Sequence, residues 1–210
     1  YVLKCKMCTK MLYPLYEYLV RRKLAPDLFP KEICFMISEA DLLADPGRLE
    51  MIAGWCMEFS TIKRIIFHIA SKDPAALEGK MPSLQSFGGS ASVRLSMPSG
   101  ETTFGSGTPE ILIVLGRSGR EEITEAIAAI AREGVNPETI TEETIESHLL
   151  YQVNPDFVIK TGGSHLTDFL IWQSVYSELF FTDINWCRFR RLDLLRALRD
   201  YQSRVRRYGQ

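Results

Sequence analysis

The sequence has few features of secreted, membrane-spanning or nucleic-acid-binding proteins. No apolar run reaches the roughly 18 residues that a membrane-spanning helix needs, and the amino end lacks the apolar core and cleavage site of a signal peptide. The cysteines are odd in number, and only Cys5 and Cys8 form a close C-x-x-C pair, so the sequence indicates neither a disulfide framework nor a zinc site. A formal charge of −1 gives no overall attraction to nucleic acid. We therefore expect a soluble cytoplasmic protein with buried or reduced thiols, and what precedes Tyr1 stays open.

Positive charge is nevertheless concentrated at the two ends of the chain. Residues 188–210 hold eight arginines against Asp193 and Asp200. Near the amino end, a basic segment at 10–22 has apolar residues at helical spacing, namely Leu12, Leu15, Tyr16 and Leu19. Such a helix suits peripheral contact with an anionic membrane, but its apolar face is short, which favours packing on the domain instead.

Apolar runs alternate with helical patterns through most of the chain. Continuous apolar runs, typical of strands covered on both faces, lie at 33–37, 65–69, 111–115 and 157–159. Helical periodicity marks 46–59, 120–132, 142–150 and 194–205, and the second of these helices should bury Ile123, Ile127 and Ile130. The stretch 73–109 is rich in Gly and Ser, with one strand-like run at 92–97. The pattern predicts a helical segment at 1–29 and one α/β domain at 30–210, with a central, mostly parallel sheet flanked by helices.

The carboxyl-terminal part carries a long block of specific motifs. Residues 155–163 read Pro-Asp-Phe-Val-Ile-Lys-Thr-Gly-Gly, and residues 169–183 read Phe-Leu-Ile-Trp-Gln-Ser-Val-Tyr-Ser-Glu-Leu-Phe-Phe-Thr-Asp. Upstream, 119–123 read Gly-Arg-Glu-Glu-Ile, and the chain ends near Arg-Tyr-Gly at 207–209. These segments resemble the cis-prenyltransferase family, the undecaprenyl diphosphate synthase-like enzymes. That family carries Pro-Asp-Leu-x-Ile-Arg-Thr-Ser-Gly and Asn-Phe-Leu-x-Trp-Gln-x-x-Tyr-x-Glu at the first two places.

The resemblance implies the chemistry of chain elongation. In the family, isopentenyl diphosphate adds to an allylic diphosphate, and Mg²⁺ assists the departure of pyrophosphate. The resemblance implies substrate contacts for Arg120, Lys160, Thr167, Arg207, Tyr208 and Gly209, and contact with the metal for Glu178. Arg207 would supply charge, and the Gly209 N–H would approach a diphosphate oxygen more closely than any residue with a side chain permits.

The sequence departs from the family pattern at four places. Ser38 stands where the family's Met-Asp-Gly-Asn-Arg-Arg carries its metal-binding aspartate. Residues 69–73 read Ile-Ala-Ser-Lys-Asp in place of Phe-Ser-x-Glu-Asn, and 164–168 lack the arginine of Glu-x-Arg-x-Ser-Asn. Residues 73–109 show no apolar helical pattern long enough to line a product tunnel.

These departures favour an accessory, largely non-catalytic subunit similar to the Nogo-B receptor type. Such a subunit would have no catalytic residue of its own and would bind a separate catalytic cis-prenyltransferase that makes long-chain polyprenyl diphosphate. It would contribute Arg207 and Gly209 to the partner's site, while the partner holds most of the Mg²⁺. Two alternatives stay open. The chain could be a divergent homodimeric synthase in which Glu39 or Asp41 holds the metal, or a scaffold that has lost the phosphate contact.

Overall fold

A seven-stranded sheet forms the centre of the computed structural model, which describes residues 14–71, 73–78, 89–97, 99–116, 118–163 and 170–204. The strands are β1 (Glu32–Ser38), β2 (Arg64–Ala70), β3 (Ser92–Met97), β4 (Gly100–Phe104), β5 (Glu110–Leu115), β6 (Phe157–Thr161) and β7 (Glu178–Thr182). Their order across the sheet is β4-β3-β5-β2-β1-β6-β7, and every neighbouring pair is parallel except β3 with β4. The predicted α/β class with a mostly parallel sheet is confirmed.

Seven helices flank this sheet within the described ranges. They are α1 (14–22), α2 (Glu39–Ala44), α3 (Arg48–Met57), α4 (Pro74–Glu78), α5 (Gly119–Arg132), α6 (Glu142–His148) and α7 (Arg191–Ser203). Short 3-10 turns lie at Pro26–Leu28, Pro137–Thr139 and Trp186–Arg188. No helix among the described residues is long and apolar enough to cross a membrane.

The inner strands are apolar along their whole length because both faces of the sheet are covered. In β1 and β2 the five central residues are all buried. On one face, alternate strand residues such as Phe35 and Phe67 pack with Trp186 and the buried residues of α3 and α7. On the other face, a smaller cluster of strand residues packs with Tyr151, Val153 and Leu170. Strands β1 and β2 therefore lie near the middle of the sheet, and residues at their ends are held by a rigid core.

Two buried cysteines belong to this core. Cys34 lies on β1 and Cys56 on α3, and neither is in a disulfide. Burial raises the pKa of the Cys34 thiol well above its usual value, so this side chain behaves as a small apolar group rather than as a nucleophile. Both thiols are buried, whereas Cys5 and Cys8 lie outside the described residues.

The structure contains elements that the sequence pattern did not predict. The stretch expected to be a loop after position 97 forms β4, an edge strand antiparallel to β3 that is exposed along most of its length. Its residues Gly-Glu-Thr-Thr-Phe carry little apolar signal, because an exposed edge strand needs none. Strand β7 was missed too, although its sequence lies inside the Glu178–Thr182 part of the family block.

The buried face of α5 differs by one residue step from the prediction. The buried residues are Gly119, Glu122, Ala126 and Ile130, whereas Ile127 is 54% exposed. Burial of Ile130 is confirmed, but the prediction for Ile127 is wrong. The periodicity argument assigns the largest apolar side chains to the buried face. In α5 the buried face instead begins with a glycine and a glutamate, because these residues make specific contacts.

Helix α1 packs on the domain, but not through the predicted apolar face. Val20 is buried, while Leu15 and Leu19 are 54% and 46% exposed. The expectation that these leucines face the domain is therefore wrong, and Leu12 lies outside the described residues. The division into a segment at 1–29 and a domain at 30–210 stays a prediction.

Candidate functional site

The carboxyl ends of the parallel strands lie side by side along one edge of the sheet, which is the edge meant below. A cleft opens there between the ends of β1 and β2. Ser38 ends β1 and is the register partner of Ala70, which ends β2. The cleft measures about 530 Å³ and is lined by Ser38, Glu39, Ala40, Leu43, Ala70 and Ser71. In open α/β sheets, ligands bind outside the carboxyl ends of the strands. This edge is therefore the candidate site.

Ser38 begins helix α2 as its N-cap. The Ser38 hydroxyl accepts a hydrogen bond from the Asp41 backbone N–H at 3.2 Å and donates one to Asp41 Oδ2 at 2.6 Å. Asp41 Oδ2 also accepts from the Ser38 backbone N–H at 3.3 Å, which completes a capping box. The Asp41 carboxylate is thus engaged in holding the start of the helix and is the weaker of the two candidate metal ligands.

Glu39 is the carboxylate that lines the cleft. It is half-buried in the first turn of α2, and its Oε2 accepts a hydrogen bond from the Ser71 hydroxyl at 2.8 Å. This bond joins the residue after β1 to the residue after β2 and fixes the carboxylate at the mouth of the cleft. Of the two carboxylates that the sequence offered in place of the missing aspartate, the geometry favours Glu39.

Among the predicted substrate residues, Lys160 and Arg120 lie at this edge. Lys160 is the fourth residue of β6 and pairs in register with Met36, two residues before the end of β1. Its Nζ donates to the carbonyl oxygen of Thr161 at 3.2 Å. Arg120 is exposed in the first turn of α5, just after the carboxyl end of β5. The sheet therefore brings two predicted cations to the edge that carries Glu39.

The other four predicted substrate residues lie outside the described residues; they are Thr167, Arg207, Tyr208 and Gly209. Their roles stay predictions.

The predicted metal ligand Glu178 lies at the other end of the strands, away from the cleft. It is the first residue of β7 and pairs with Phe157, the first residue of β6, so it stands at the amino ends of the strands. Its carboxylate accepts a hydrogen bond from Arg204 Nη1 at 2.9 Å. Partial burial opposes the charge of Arg204, but its bonds to Glu178 and Asp200 outweigh that effect and raise its pKa. Within one chain, Glu178 therefore cannot join Glu39 around a single metal ion.

Two of the family-like segments, 119–123 and the part of 169–183 that the structure describes, contact each other directly. The Glu122 carboxylate accepts from Gln173 Nε2 at 3.0 and 3.1 Å and from the Tyr151 backbone N–H at 2.8 Å. A Cβ on Gly119 would lie 3.0 Å from the Ile171 backbone nitrogen, closer than real Cβ atoms normally approach. The matches Gly-Arg-Glu-Glu-Ile and Trp-Gln are thus explained in part by packing, because both serve to hold the start of α5 against the segment after Leu170.

A second cleft at the same edge was not predicted from the sequence. It measures about 850 Å³, lies beyond the carboxyl end of β7, and is lined by Arg48, Asp183, Ile184, Asn185, Cys187, Arg188 and Arg190. Arg48 is bound to Asp45 and to the carbonyl oxygens of Cys187 and Phe189, so its charge supports the fold. The only sequence signal was the run of arginines after Cys187, which indicates charge but not a cleft.

The donor set for a metal is small. The described residues contain no group of three His, Cys, Asp or Glu side chains that could enclose an ion. Mg²⁺ does not require such a cage, since it is commonly held by one or two carboxylates with substrate phosphates and water. Glu39 meets this lesser requirement only when a diphosphate supplies the other oxygens.

Comparison with known proteins matches mainly the second half of the chain. The family model "Putative undecaprenyl diphosphate synthase" matches residues 90–209, more than half of the chain. That range includes β5, β6 and β7 but not β1 and β2, which frame the cleft.

Individual relatives carry the names of synthases and transferases. The chain is 48% identical over 106 residues to tritrans,polycis-undecaprenyl-diphosphate synthase (geranylgeranyl-diphosphate specific) of Methanocaldococcus jannaschii, covering 46% of this chain and 38% of the relative. It is 43% identical over 120 residues to isoprenyl transferase of Deinococcus radiodurans, covering 52% and 44%. The chain thus spans about two-fifths of the length of the curated relatives that it matches.

Solved structures share the fold. Lavandulyl diphosphate synthase from Lavandula x intermedia superposes with a TM-score of 0.64 at 21% identity, covering 88% of this chain and all of that one. A probable undecaprenyl diphosphate synthase from Campylobacter jejuni gives 0.63 at 14% identity, covering 86% of this chain and 99% of that one. At these identities the likeness supports the fold alone. The sheet, the contact between the two motif segments and the match over 90–209 together show that the chain belongs to the cis-prenyltransferase family.

Proposed function

We propose that the chain is a cis-prenyl diphosphate synthase that elongates an allylic diphosphate with isopentenyl diphosphate and is active without a second kind of subunit. In this reaction a carbon–carbon bond forms between the two substrates, the bond to the pyrophosphate oxygen breaks, and a proton leaves the new chain. The relatives quoted above are named as synthases and transferases, which favours this alternative over the accessory subunit expected from the sequence. The observation that carries the proposal is the Glu39 carboxylate at the mouth of the cleft, where the missing aspartate would otherwise be required.

Each described residue at the edge has a physical role in this proposal. Lys160 and Arg120 supply positive charge toward the two diphosphates. Leu43 and Ala40 give the cleft an apolar wall against which an isoprenoid chain can lie. Ser71 fixes the direction of the Glu39 carboxylate by its 2.8 Å hydrogen bond. When Mg²⁺ is bound, Glu39 would hold it together with diphosphate oxygens, and the ion would take up charge from the departing pyrophosphate.

Turnover by the isolated chain tests the proposal. The purified protein is incubated with Mg²⁺, radiolabelled isopentenyl diphosphate and either farnesyl or geranylgeranyl diphosphate, and the products are extracted and counted. We expect Mg²⁺-dependent elongation that falls about 100-fold or more in Glu39→Gln, because the charge but not the shape of the side chain is removed. Glu101→Gln, at an exposed carboxylate on β4, is the matched control and should leave turnover unchanged. No turnover by the folded chain under these conditions would refute activity without a partner.

The accessory subunit remains the second candidate because of one specific observation. Ser38 is committed to capping α2 and offers no carboxylate where the family carries its metal aspartate. In this case the chain would be inactive alone and would activate a catalytic cis-prenyltransferase that copurifies with it. Arg207→Ala would then weaken the use of isopentenyl diphosphate by the reconstituted pair without breaking assembly.

A further inference from the structure

Helix α1 turns an apolar stripe away from the domain. Leu15, Tyr18 and Leu19 are 54%, 58% and 46% exposed, and they recur at the three- and four-residue steps that place side chains on one helix face. Arg22 continues the same face and is exposed. An amphipathic helix normally buries its leucines against the core, so the orientation of α1 is the reverse of the usual one.

The inward side of α1 is fixed by polar and apolar contacts with the domain. Val20 is 2% exposed, and Glu17 forms an ion pair with Arg191 of α7 at 2.6 Å. The Tyr16 ring lies under the guanidinium of Arg196, with 5.3 Å between the guanidinium carbon and the ring centroid. These contacts fix which face of α1 points outward, so the exposed stripe is a property of the folded protein.

Positive charge lies at the carboxyl end of the exposed stripe. Arg22 and Lys23 follow the stripe along the chain, and both are exposed. The only acidic residue among the first 23 is Glu17, and it faces the domain in its pair with Arg191. Arg21 is half-exposed and pairs with Glu58 at 3.3 Å, so it adds less to the field. The outward surface of α1 therefore combines apolar side chains with exposed positive charge at its carboxyl end.

From this arrangement we propose that α1 docks the protein on an anionic lipid surface, with Leu15, Tyr18 and Leu19 entering the interface and Arg22 and Lys23 contacting lipid phosphates. Helices that lie in a bilayer interface have this distribution, with leucine and aromatic residues on one side and Lys and Arg beside them. The three side chains expose on the order of 300 Å² of apolar surface, well below the roughly 800 Å² per partner of a standard protein–protein interface. A lipid surface needs less area, because charge attraction adds to the apolar contact.

Vesicle sedimentation with the full chain tests the docking surface. The protein is mixed with sucrose-loaded vesicles of phosphatidylcholine alone or of phosphatidylcholine with phosphatidylglycerol, at low and high salt. We expect binding to the anionic vesicles that weakens as salt rises. The double variant Leu15→Ser with Leu19→Ser should lower the partition coefficient about tenfold or more, and Arg22→Gln with Lys23→Gln by a similar factor. Ile127→Ser, at an equally exposed isoleucine on α5, is the control and should bind like the parent.

Three results would overturn the proposal, provided that circular dichroism shows folded variants. The first is no binding of the parent to anionic vesicles. The second is equal binding to both vesicle types that salt does not change. The third is a lipid-free dimer, seen by analytical ultracentrifugation, that the Leu15 and Leu19 changes dissociate, since that would make the stripe a protein interface.

Discussion

Removal of the buried Glu122 carboxylate should be among the most damaging single changes in the described part of the protein. Glu122 is 3% exposed, and it accepts hydrogen bonds from Gln173 Nε2 and from the Tyr151 backbone N–H. Glu122→Ala removes the acceptor of the buried Tyr151 N–H, at about 1–3 kcal/mol, whereas Gln173 Nε2 keeps its 3.2 Å bond to the Tyr151 carbonyl oxygen. The substitution also leaves a small cavity beneath α5. We expect a loss of roughly 2–4 kcal/mol from the free energy of unfolding, a large share of the 5–15 kcal/mol typical of a domain.

Glu122→Gln is the control that separates charge from geometry. The new amide keeps one oxygen for the Tyr151 N–H and places its NH₂ toward Gln173. Gln173 Oε1 has no hydrogen-bond partner among the described residues, so rotation of the Gln173 amide would turn that oxygen toward the new donor, with loss of the 3.2 Å bond from Nε2 to the Tyr151 carbonyl oxygen. The loss should therefore be about 1 kcal/mol or less. Urea unfolding followed by circular dichroism measures both variants. The reasoning would be refuted by an alanine variant within about 0.5 kcal/mol of the parent, or by equal losses in the two variants.

Three further changes test other contacts. Asp156→Ala removes the carboxylate that accepts two backbone N–H bonds, at 2.6 and 2.9 Å, where β1 begins. The free energy of unfolding in urea should fall by about 2 kcal/mol, and a loss near zero would contradict this role. Gly119→Ala should lower the free energy of unfolding by roughly 1–3 kcal/mol, because the new Cβ would meet backbone atoms. Gly54→Ala, with open space around it on α3, should be neutral or stabilising. An equal loss of stability in both variants would rule out the close approach at Gly119. Hydrogen bonding to the Thr144 carbonyl oxygen and to Glu133 raises the pKa of His148. Protonated His148 therefore stabilises the fold fully below the usual pKa near 6.5, and this stabilisation is lost as pH rises through the higher pKa of the folded state. His148→Asn should flatten this part of the curve of unfolding free energy against pH.

The sequence predicted the inner sheet well because burial on both faces leaves a strong local signal. Strands β1, β2, β5 and β6 are short, continuous apolar runs, and that composition follows directly from their position between two layers. Strand β4 was missed for the opposite reason. It lies at the sheet edge, packs little and carries polar residues. Its pairing with β3 therefore depends on tertiary contacts and leaves almost no signal in the local sequence.

The errors on helices have a common physical origin. Periodicity indicates that a helix has an apolar face but not what that face contacts. In α5 the inward side begins with Gly119 and Glu122 because close approach and hydrogen bonding outweigh the burial of Ile127. In α1 the leucines face outward because Val20 and the Glu17 ion pair hold the opposite side. Both cases concern surfaces where a specific contact replaces simple burial.

The candidate site was predicted only in its outline. The resemblance selected Lys160 and Arg120, and the parallel topology places both near the carboxyl ends of the strands. The choice between Glu39 and Asp41 could not be made from sequence, because both lie within three residues of Ser38. Only the side-chain hydrogen bonds distinguish the carboxylate that lines the cleft from the one that caps the helix.

Ser38, where the resemblance would place an aspartate, contacts a carboxylate three residues later. The same resemblance would place an arginine at position 41, whereas this chain has Asp41, whose Oδ2 lies 2.6 Å from the Ser38 hydroxyl. An aspartate caps a helix as well as serine does, so Ser38→Asp alone would not harm α2 through the cap. It would, however, place two carboxylates side by side.

This coupling gives a prediction for a double-mutant cycle. Ser38→Asp should lower the free energy of unfolding by roughly 1–3 kcal/mol at neutral pH, because two carboxylates would lie side by side. In the Asp41→Asn background the same change should cost little, so the cycle should show a coupling energy of about 1 kcal/mol or more. Equal effects of Ser38→Asp in both backgrounds, measured by urea unfolding, would show that the two positions are independent. Coupling would mean that an aspartate at position 38 is poorly tolerated beside Asp41, which leaves Glu39 as the cleft carboxylate that the proposed metal chemistry would use.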